Sequence, residues 1–211
     1  EAEQILEKTA PESNFAPLYV TLARVRNTSD TANILDDYRK AASLNIEDWR
    51  YGKYLTEFLL AQKRYHEAVQ SIEPYFKKDP GNYIVATLYA HCLMRNDEYP
   101  AAEKVLNNIH VLPYEGATDG HLLYKQVKLM RALQLVQQKK YQAALKKVSE
   151  SREWPERLGE GMPYPDMIHD SLENEVESLV KQAMQGHNFS KSEITSYENQ
   201  INAISQSGNL N

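Results

Sequence analysis

The feature that most constrains this chain is a self-similarity with a spacing of 34 residues. An aromatic, a small and an aliphatic residue recur at this offset, as Tyr65 and Tyr99, Ala68 and Ala102, and Ile72 and Leu106. A period of this length is typical of antiparallel helix pairs that stack side by side. Each pair needs an aromatic side chain at the turn and a small residue where its two helices cross. We therefore predict an all-α fold.

Upstream of these copies the same offset continues in a weaker form. Ile34 and Tyr38 stand 34 positions before Ala68 and Ile72. The predicted helix around Ile34 and Tyr38 thus keeps the register of the clear copies. We predict that residues 1–46 contain this degenerate helical repeat and part of an earlier one.

The start of the chain carries its own local signals. Residues 2–9 predict a short helix that Pro11 ends, and Asn14 is a candidate N-cap for the following helix. The sequence opens on Glu1 without an initiator methionine or a signal peptide. We expect a piece of a longer protein, or a processed one.

Downstream, the repeat shifts in phase and then resumes. Tyr141 lies 42 positions after Tyr99, which is eight more than the period. Insertions in repeat arrays fall in loops, because the helices must stay in register to pack. We predict three repeats over residues 47–150, with the insertion near residues 111–120.

The last third of the chain is predicted to close the array. The predicted helix from His121 to Gln137 is apolar on more than one face, so both faces need cover. Residues 151–211 predict an irregular loop, rich in proline and glycine, and then C-terminal capping helices of the same solenoid domain. We predict that the helix over residues 170–184 is the cap, with Trp154 at the junction. It would cover three apolar side chains, Leu129, Leu133 and Val136.

On these residues the chain resembles the tetratricopeptide repeat family over roughly residues 48–150. The resemblance implies a right-handed α-α superhelix of helical hairpins. It also implies a non-enzymatic role as a protein–protein interaction or scaffold module, with a protein, a peptide or another domain of the same chain as partner. Two positions depart from the family pattern. Gly52 stands where tryptophan is frequent, and Thr56 stands where a small residue is usual.

A second, narrower resemblance lies in the segment from Trp154 to Pro163. It is similar to the Pro-Glu-Asn-Leu-Gly-x-Gly-x-Pro stretch of bacterial multidomain proteins, in which such helices follow a mutarotase-like sandwich domain of unassigned function. Arg157 replaces the asparagine. The alternative function is therefore an accessory helical domain of a bacterial carbohydrate-active or carbohydrate-binding protein, which would reach carbohydrate through an upstream domain. Either resemblance fits a soluble protein of the bacterial cytoplasm or periplasm.

Charge and motifs argue against several other classes of function. The net charge of −5 gives no positive footprint for nucleic acid. No apolar run approaches the roughly 20 residues that a membrane helix needs. The sequence contains no His-x-x-x-His pair, no phosphate-binding glycine loop and no Gly-x-Ser-x-Gly elbow. We expect no metal, no cofactor and no catalytic residue in this chain.

The first helix of each pair lines the groove in this family, and the family register predicts the groove residues. They include Tyr19, Arg26, Arg50, Lys53, Glu57 and His91, followed by Gln126, Leu129 and Leu133. Tyr114 and Tyr164 are added as candidate binding aromatics, and with Tyr19 they are expected outside the core. Lys53 matches a lysine that holds a peptide's terminal carboxylate in some members. Glu57 replaces an asparagine and would repel that carboxylate, so this mode is disfavoured.

Overall fold

The computed structural model describes residues 2–113, 119–162, 164 and 170–207 of the 211-residue chain. These residues form eleven α-helices and a 3-10 turn at Glu156–Leu158, with no strand among them, which confirms the all-α prediction. In chain order the helices are α1 (Ala2–Ser13), α2 (Ala16–Val25), α3 (Thr31–Leu44), α4 (Trp49–Ala61), α5 (Tyr65–Lys78), α6 (Tyr83–Arg95), α7 (Tyr99–Asn108), α8 (Asp119–Gln137), α9 (Tyr141–Ser151), α10 (Ser171–Met184) and α11 (Lys191–Ser207).

The chain divides into two compact units, Glu1–Asn96 and Asp97–Asn211. In the first unit α2 packs on α3 and α4 packs on α5, and the first helices α2, α4 and α6 also contact one another in series. In the second unit α8 packs on α9, and α7, α10 and α11 also pack on α8. The predicted helical hairpins are therefore present in both units. The predicted division at residues 46 and 150 stays a prediction.

A tyrosine fills the space beside a glycine where α4 crosses α5. A Cβ atom at Gly52 would lie 2.1 Å from Cε2 of Tyr75, so only glycine fits against this ring. One turn further along, the Thr56 hydroxyl donates a hydrogen bond of 2.7 Å to the Gly52 carbonyl and lies 2.7 Å from Oγ of Ser71. The threonine is accommodated at the crossing because a small serine faces it.

In the preceding hairpin the large residue lies on the first helix and the small residue on the second. Leu18 on α2 and Ala41 on α3 lie 34 positions before Gly52 and Tyr75. Ala41 is fully buried, in a cluster against which Leu18 packs. A large residue on one helix is thus matched by a small one on the other in both hairpins. This explains why the glycine is compatible with the repeat.

Exchanging the sizes at this crossing is a direct test. We expect Gly52→Ala to lower the free energy of unfolding by about 1–3 kcal/mol, because the added methyl group overlaps the Tyr75 ring. The double variant Gly52→Leu/Tyr75→Ala, which copies the Leu18–Ala41 pair, should be more stable than the sum of its single variants predicts by at least about 1 kcal/mol. Urea unfolding of the wild type, the two single variants and the double variant measures the four free energies of unfolding. Strict additivity would show that the two side chains do not share the space.

The first helix boundary differs from the prediction. Helix α1 continues to Ser13 with Pro11 inside it, so the predicted end near residue 9 is wrong. A proline this close to the C-terminus removes one backbone donor from the last turn and leaves the turns before it intact. Asn14 does not cap α2. It has a φ of 47° between the two helices, and Phe15 stands at the N-cap position of α2.

Helix α8 is covered on several sides. Its apolar residues Leu129, Leu133 and Val136 are all buried. Helix α10 packs on α9 and α8, and α11 packs chiefly on α8. Trp154 stacks on the ring of His121 at the start of α8, with 3.5 Å between ring centroids. The predicted helix over residues 170–184 thus packs on α8, but α11, which the prediction did not include, packs on it as well.

A truncation tests the predicted capping role of these helices. We expect a chain that ends at Glu153 to melt at a lower temperature and to self-associate, because it leaves part of α8 in water. Thermal melts followed by circular dichroism and size-exclusion chromatography measure the two effects. A truncated chain that stays monomeric and melts at the unchanged temperature would contradict the prediction.

Candidate interaction face

The helices α2, α4 and α6 contact one another in series and carry exposed and half-buried side chains, six of which we group under the name open face. It consists of Arg24, Lys53, Tyr54, Glu57, Ile84 and His91. The Arg24 guanidinium lies 4.8 Å from the centroid of the Tyr54 ring and so links α2 to α4. Ile84 on α6 is 37% exposed, and His91 is half-buried about two turns further along the same face of the helix. The open face thus combines cationic, aromatic and aliphatic groups.

Lys53, which matches the carboxylate-binding lysine of the family, contacts Glu57, which replaces the asparagine. Lys53 Nζ lies 2.7 Å from Glu57 Oε1, one helical turn away, and 5.4 Å from the centroid of the Tyr54 ring. The Lys53 charge is therefore balanced by a neighbour on the same helix. That Lys53 does not hold a peptide's terminal carboxylate stays a prediction.

Arg50, also predicted for the groove, interacts with the N-terminus of its own helix. Its guanidinium lies 2.7 Å from the carboxylate of Asp48, and the same carboxylate accepts a 3.0 Å hydrogen bond from the Arg50 backbone amide. Hydrogen bonds from the Arg50 side chain lower the pKa of Asp48 below its ordinary value. Asp48 is thus the N-cap of α4, and Arg50 keeps that cap charged.

Tyr19 is a correction to the sequence-based expectation. It was expected outside the core but is only 8% exposed, in a cluster with Ala10, Ala16 and Val20. Helix α1 packs on α2 and contributes Ala10 to this cluster. Of the other two candidate aromatics, Tyr164 is 73% exposed and Tyr114 lies outside the described residues.

Arg26 holds three helices together. Its guanidinium lies 2.5 Å from Asp37 on α3 and 2.8 Å from Glu7 on α1, and its side chain is only 10% exposed. Burial raises the pKa of Asp37, against the opposing effect of the hydrogen bond from Arg26. A desolvated arginine that already contacts several carboxylates has few hydrogen-bond donors left for a binding partner. The structure therefore gives Arg26 a contact set internal to the first unit.

The second unit contains a buried charge cluster that the sequence analysis did not identify. Lys128 on α8 is 3% exposed and lies 2.6 Å from Glu103 on α7 and 2.6 Å from Glu150 on α9. Lys147 contacts the same two carboxylates at 2.6 and 2.8 Å. Burial acts to raise the pKa of both glutamates, but the lysine hydrogen bonds outweigh it and leave both lowered. Two lysines and two glutamates thus lock α7, α8 and α9 together.

The narrower motif after α9 also has a structural role. The Val111 amide donates a 2.8 Å hydrogen bond to the Arg157 carbonyl, which ties the motif to the segment after α7. Gly159 has a φ of 76°, and a Cβ there would lie 2.9 Å from the Val111 carbonyl oxygen. The Trp154 indole donates to the Glu160 carbonyl at 3.0 Å and closes the loop. Glycine is therefore required at position 159, where a side chain would overlap Val111.

These features lead to the comparison with known proteins. Residues 59–109, from the end of α4 to just past α7, match the family model described as tetratricopeptide repeat. The chain is a TPR-like protein. No curated protein matches the sequence. Within the described part of the chain, no helix of this TPR-like protein is long and apolar enough to cross a membrane. The repeats indicate a protein-interaction or scaffold module in general.

The burial of Lys128 beside two glutamates leads to a prediction about the pH dependence of stability. A glutamate with a lowered pKa stabilises the fold above its unfolded pKa, near 4.5, and that contribution is lost as the pH falls through the folded pKa. We expect Lys128→Met to cost about 3–5 kcal/mol at pH 7, because the two desolvated carboxylates then keep only Lys147 at hydrogen-bond distance, with Arg131 and Lys146 at 3.8 and 3.9 Å. The difference from the wild type should shrink below pH 4.5, as the glutamates are protonated in both proteins.

Lys146 offers a matched control for this measurement. Its side chain is 75% exposed and lies 3.9 Å from the same Glu150 carboxylate. We expect Lys146→Met to change the free energy of unfolding by less than about 0.5 kcal/mol. Urea unfolding at several pH values measures both variants. An equal penalty for Lys128→Met at every pH would show that lost packing, not charge, causes it.

Proposed function

We propose that this TPR-like chain is a non-enzymatic interaction module that binds a segment of a protein on the open face. The observation that supports the proposal is the serial contact of α2, α4 and α6, since first helices packed in this way present their exposed side chains to a common partner. Concave faces of stacked first helices are the usual binding surfaces of such repeats. The partner can be a separate protein or another domain of the same chain.

The side chains of the open face indicate the chemistry of that segment. Arg24 and Lys53 supply two cations against the single carboxylate of Glu57, which favours acidic side chains in the partner. Tyr54 is a rigid aromatic that offers contact area at low entropic cost. Ile84 adds an exposed aliphatic group. We therefore propose a segment with acidic side chains next to an apolar one.

The alternative role, as an accessory helical domain in a carbohydrate-active or carbohydrate-binding protein, stays a prediction. It depends on the resemblance of the segment from Trp154 to Pro163, whose described residues pack locally as given above. The sequence of the complete gene product upstream of Glu1 tests this alternative. A sandwich domain there would favour the accessory role and make that domain the first partner to examine.

Site-specific photocrosslinking in an extract of the source organism tests the open face. We place a photoreactive amino acid at Lys53, or at Lys40, which is exposed on α3. We expect a distinct partner to crosslink at position 53 and not at position 40. With that partner purified, Arg24→Glu should weaken binding at least about tenfold, because one cation of the face is reversed.

Lys40→Glu is the matched control, since it makes the same type of charge change on a second helix of the same unit. It should leave the affinity within about twofold, because an exposed charge outside an interface contributes little. Calorimetry measures both variants. Equal crosslinking at positions 40 and 53, or equal weakening by both substitutions, would refute the open face as the binding surface.

A further inference from the structure

Helix α11 packs on the side of α8 that the family register predicts to face the groove. Gln126, which the family register places on the groove side, is 1% exposed. Its amide donates hydrogen bonds of 2.9 and 3.4 Å to the backbone carbonyls of Ile201 and Asn202 on α11. Leu129 and Leu133 follow Gln126 at positions i+3 and i+7, so they share its face, and both are buried. The groove side of α8 is therefore filled by a helix of the same chain.

The helix that fills it has its own start signal. The backbone amide and the hydroxyl of Ser190 each lie 2.7 Å from Oε2 of Glu193, and the Glu193 amide donates back to the Ser190 hydroxyl at 3.3 Å. This reciprocal pair is a capping box, which stabilises a helix end without help from other elements. Helix α11 can thus begin at the same residue whether or not it is docked.

The connection to the rest of the unit is sparse. Helix α11 packs chiefly on α8 and little on α10, the element before it in the chain. Gly186, which follows α10, has a φ of 98° and no atom within 4 Å of the position of a Cβ. The link from α10 thus has open space beside Gly186, while the amides of Gly186 and His187 donate hydrogen bonds to carbonyls of the last turn of α10. Detachment of α11 would leave the contacts among α8, α9 and α10 in place.

The docked side of α11 has the pattern of a helical ligand. Ile194 and Ile201 are buried at 4% and 0% exposure, and Tyr197 and Ile204 are half-buried between and after them. These four residues lie at i, i+3, i+7 and i+10, which places them on one stripe of the helix. An amphipathic helix that inserts such a stripe into an apolar groove is a common mode of peptide recognition.

We propose that the groove side of α8 is a helix-binding site and that α11 is its intramolecular ligand. The site takes an amphipathic helix with apolar residues at i, i+3, i+7 and i+10. A partner helix with this pattern binds when it displaces α11, so the C-terminal helix regulates access to the site. The proposal concerns the second unit alone and does not depend on the open face of the first.

The test uses the full chain and a labelled peptide that corresponds to residues 190–207. In the variant Ile201→Glu the fully buried isoleucine is replaced by a charge, which should release α11 and expose the α8 site. We expect this variant to bind the wild-type peptide at least about tenfold more tightly than the wild-type chain does, by fluorescence anisotropy. A peptide that carries Ile201→Glu should not bind. Failure of the folded variant to bind the wild-type peptide would refute the proposal.

Asn199→Glu is the matched control, because Asn199 is exposed on the opposite side of α11. The full chain with Asn199→Glu should keep its site occupied, and the peptide with this change should bind like the wild-type peptide. If Ile201→Glu unfolds the chain, a second variant is used instead, which has a protease site inserted after Gly186. After cleavage under native conditions, the labelled peptide should exchange with α11. A cleaved helix that exchanges only when the unit unfolds would show that α11 is an integral part of the core.

Discussion

The need to cover α8 determines how the second unit is built. This helix is apolar on more than one face, and in water its leucine and valine side chains would form an exposed hydrophobic patch that promotes association. Helices α7, α9, α10 and α11 all pack on it. No neighbour in a simple stack of hairpins would lie on the groove side of α8. The irregular segment after α9 and the two C-terminal helices supply that cover.

Buried charge organises each unit in a similar way. In the first unit the Arg26 guanidinium connects α1, α2 and α3, and in the second Lys128 connects α7, α8 and α9. A charge removed from water is tolerated only when its partners are held close to it. Each cluster therefore fixes the relative position of three helices more strictly than apolar packing alone would. We expect such clusters to favour this arrangement of the helices, because a displaced helix would leave a buried charge without its partner.

The two units present their first helices differently. The first unit leaves charged and aromatic side chains of α4 accessible, whereas the second has α11 docked on α8. The proposed functions follow this difference. A segment with acidic and apolar side chains suits the accessible face, and an amphipathic helix suits the covered one. Neither proposal requires catalytic chemistry, and the Lys128 cluster, with its lysines and glutamates paired, is explained by packing.

Local signals in the sequence determined much of the fold. The 34-residue offset predicted helical hairpins, because the crossing of two helices repeats with every pair. The apolar pattern of α8 predicted that it would be covered. Sequence reasoning failed at Pro11 and Asn14, where the backbone around the end of α1 decided the boundary.

Only the tertiary structure decided which groups meet over long separations. Tyr19 is buried in a cluster to which α1 contributes Ala10, and the register of α2 carries no information about that neighbouring helix. Lys128 meets Glu103 and Glu150 from two other helices, which no local pattern specifies. Gln126 meets the carbonyl of Ile201, 75 positions away, only because α11 folds back onto α8. Periodicity predicts which face of a helix is apolar, but the identity of the element that covers it depends on how the whole unit packs.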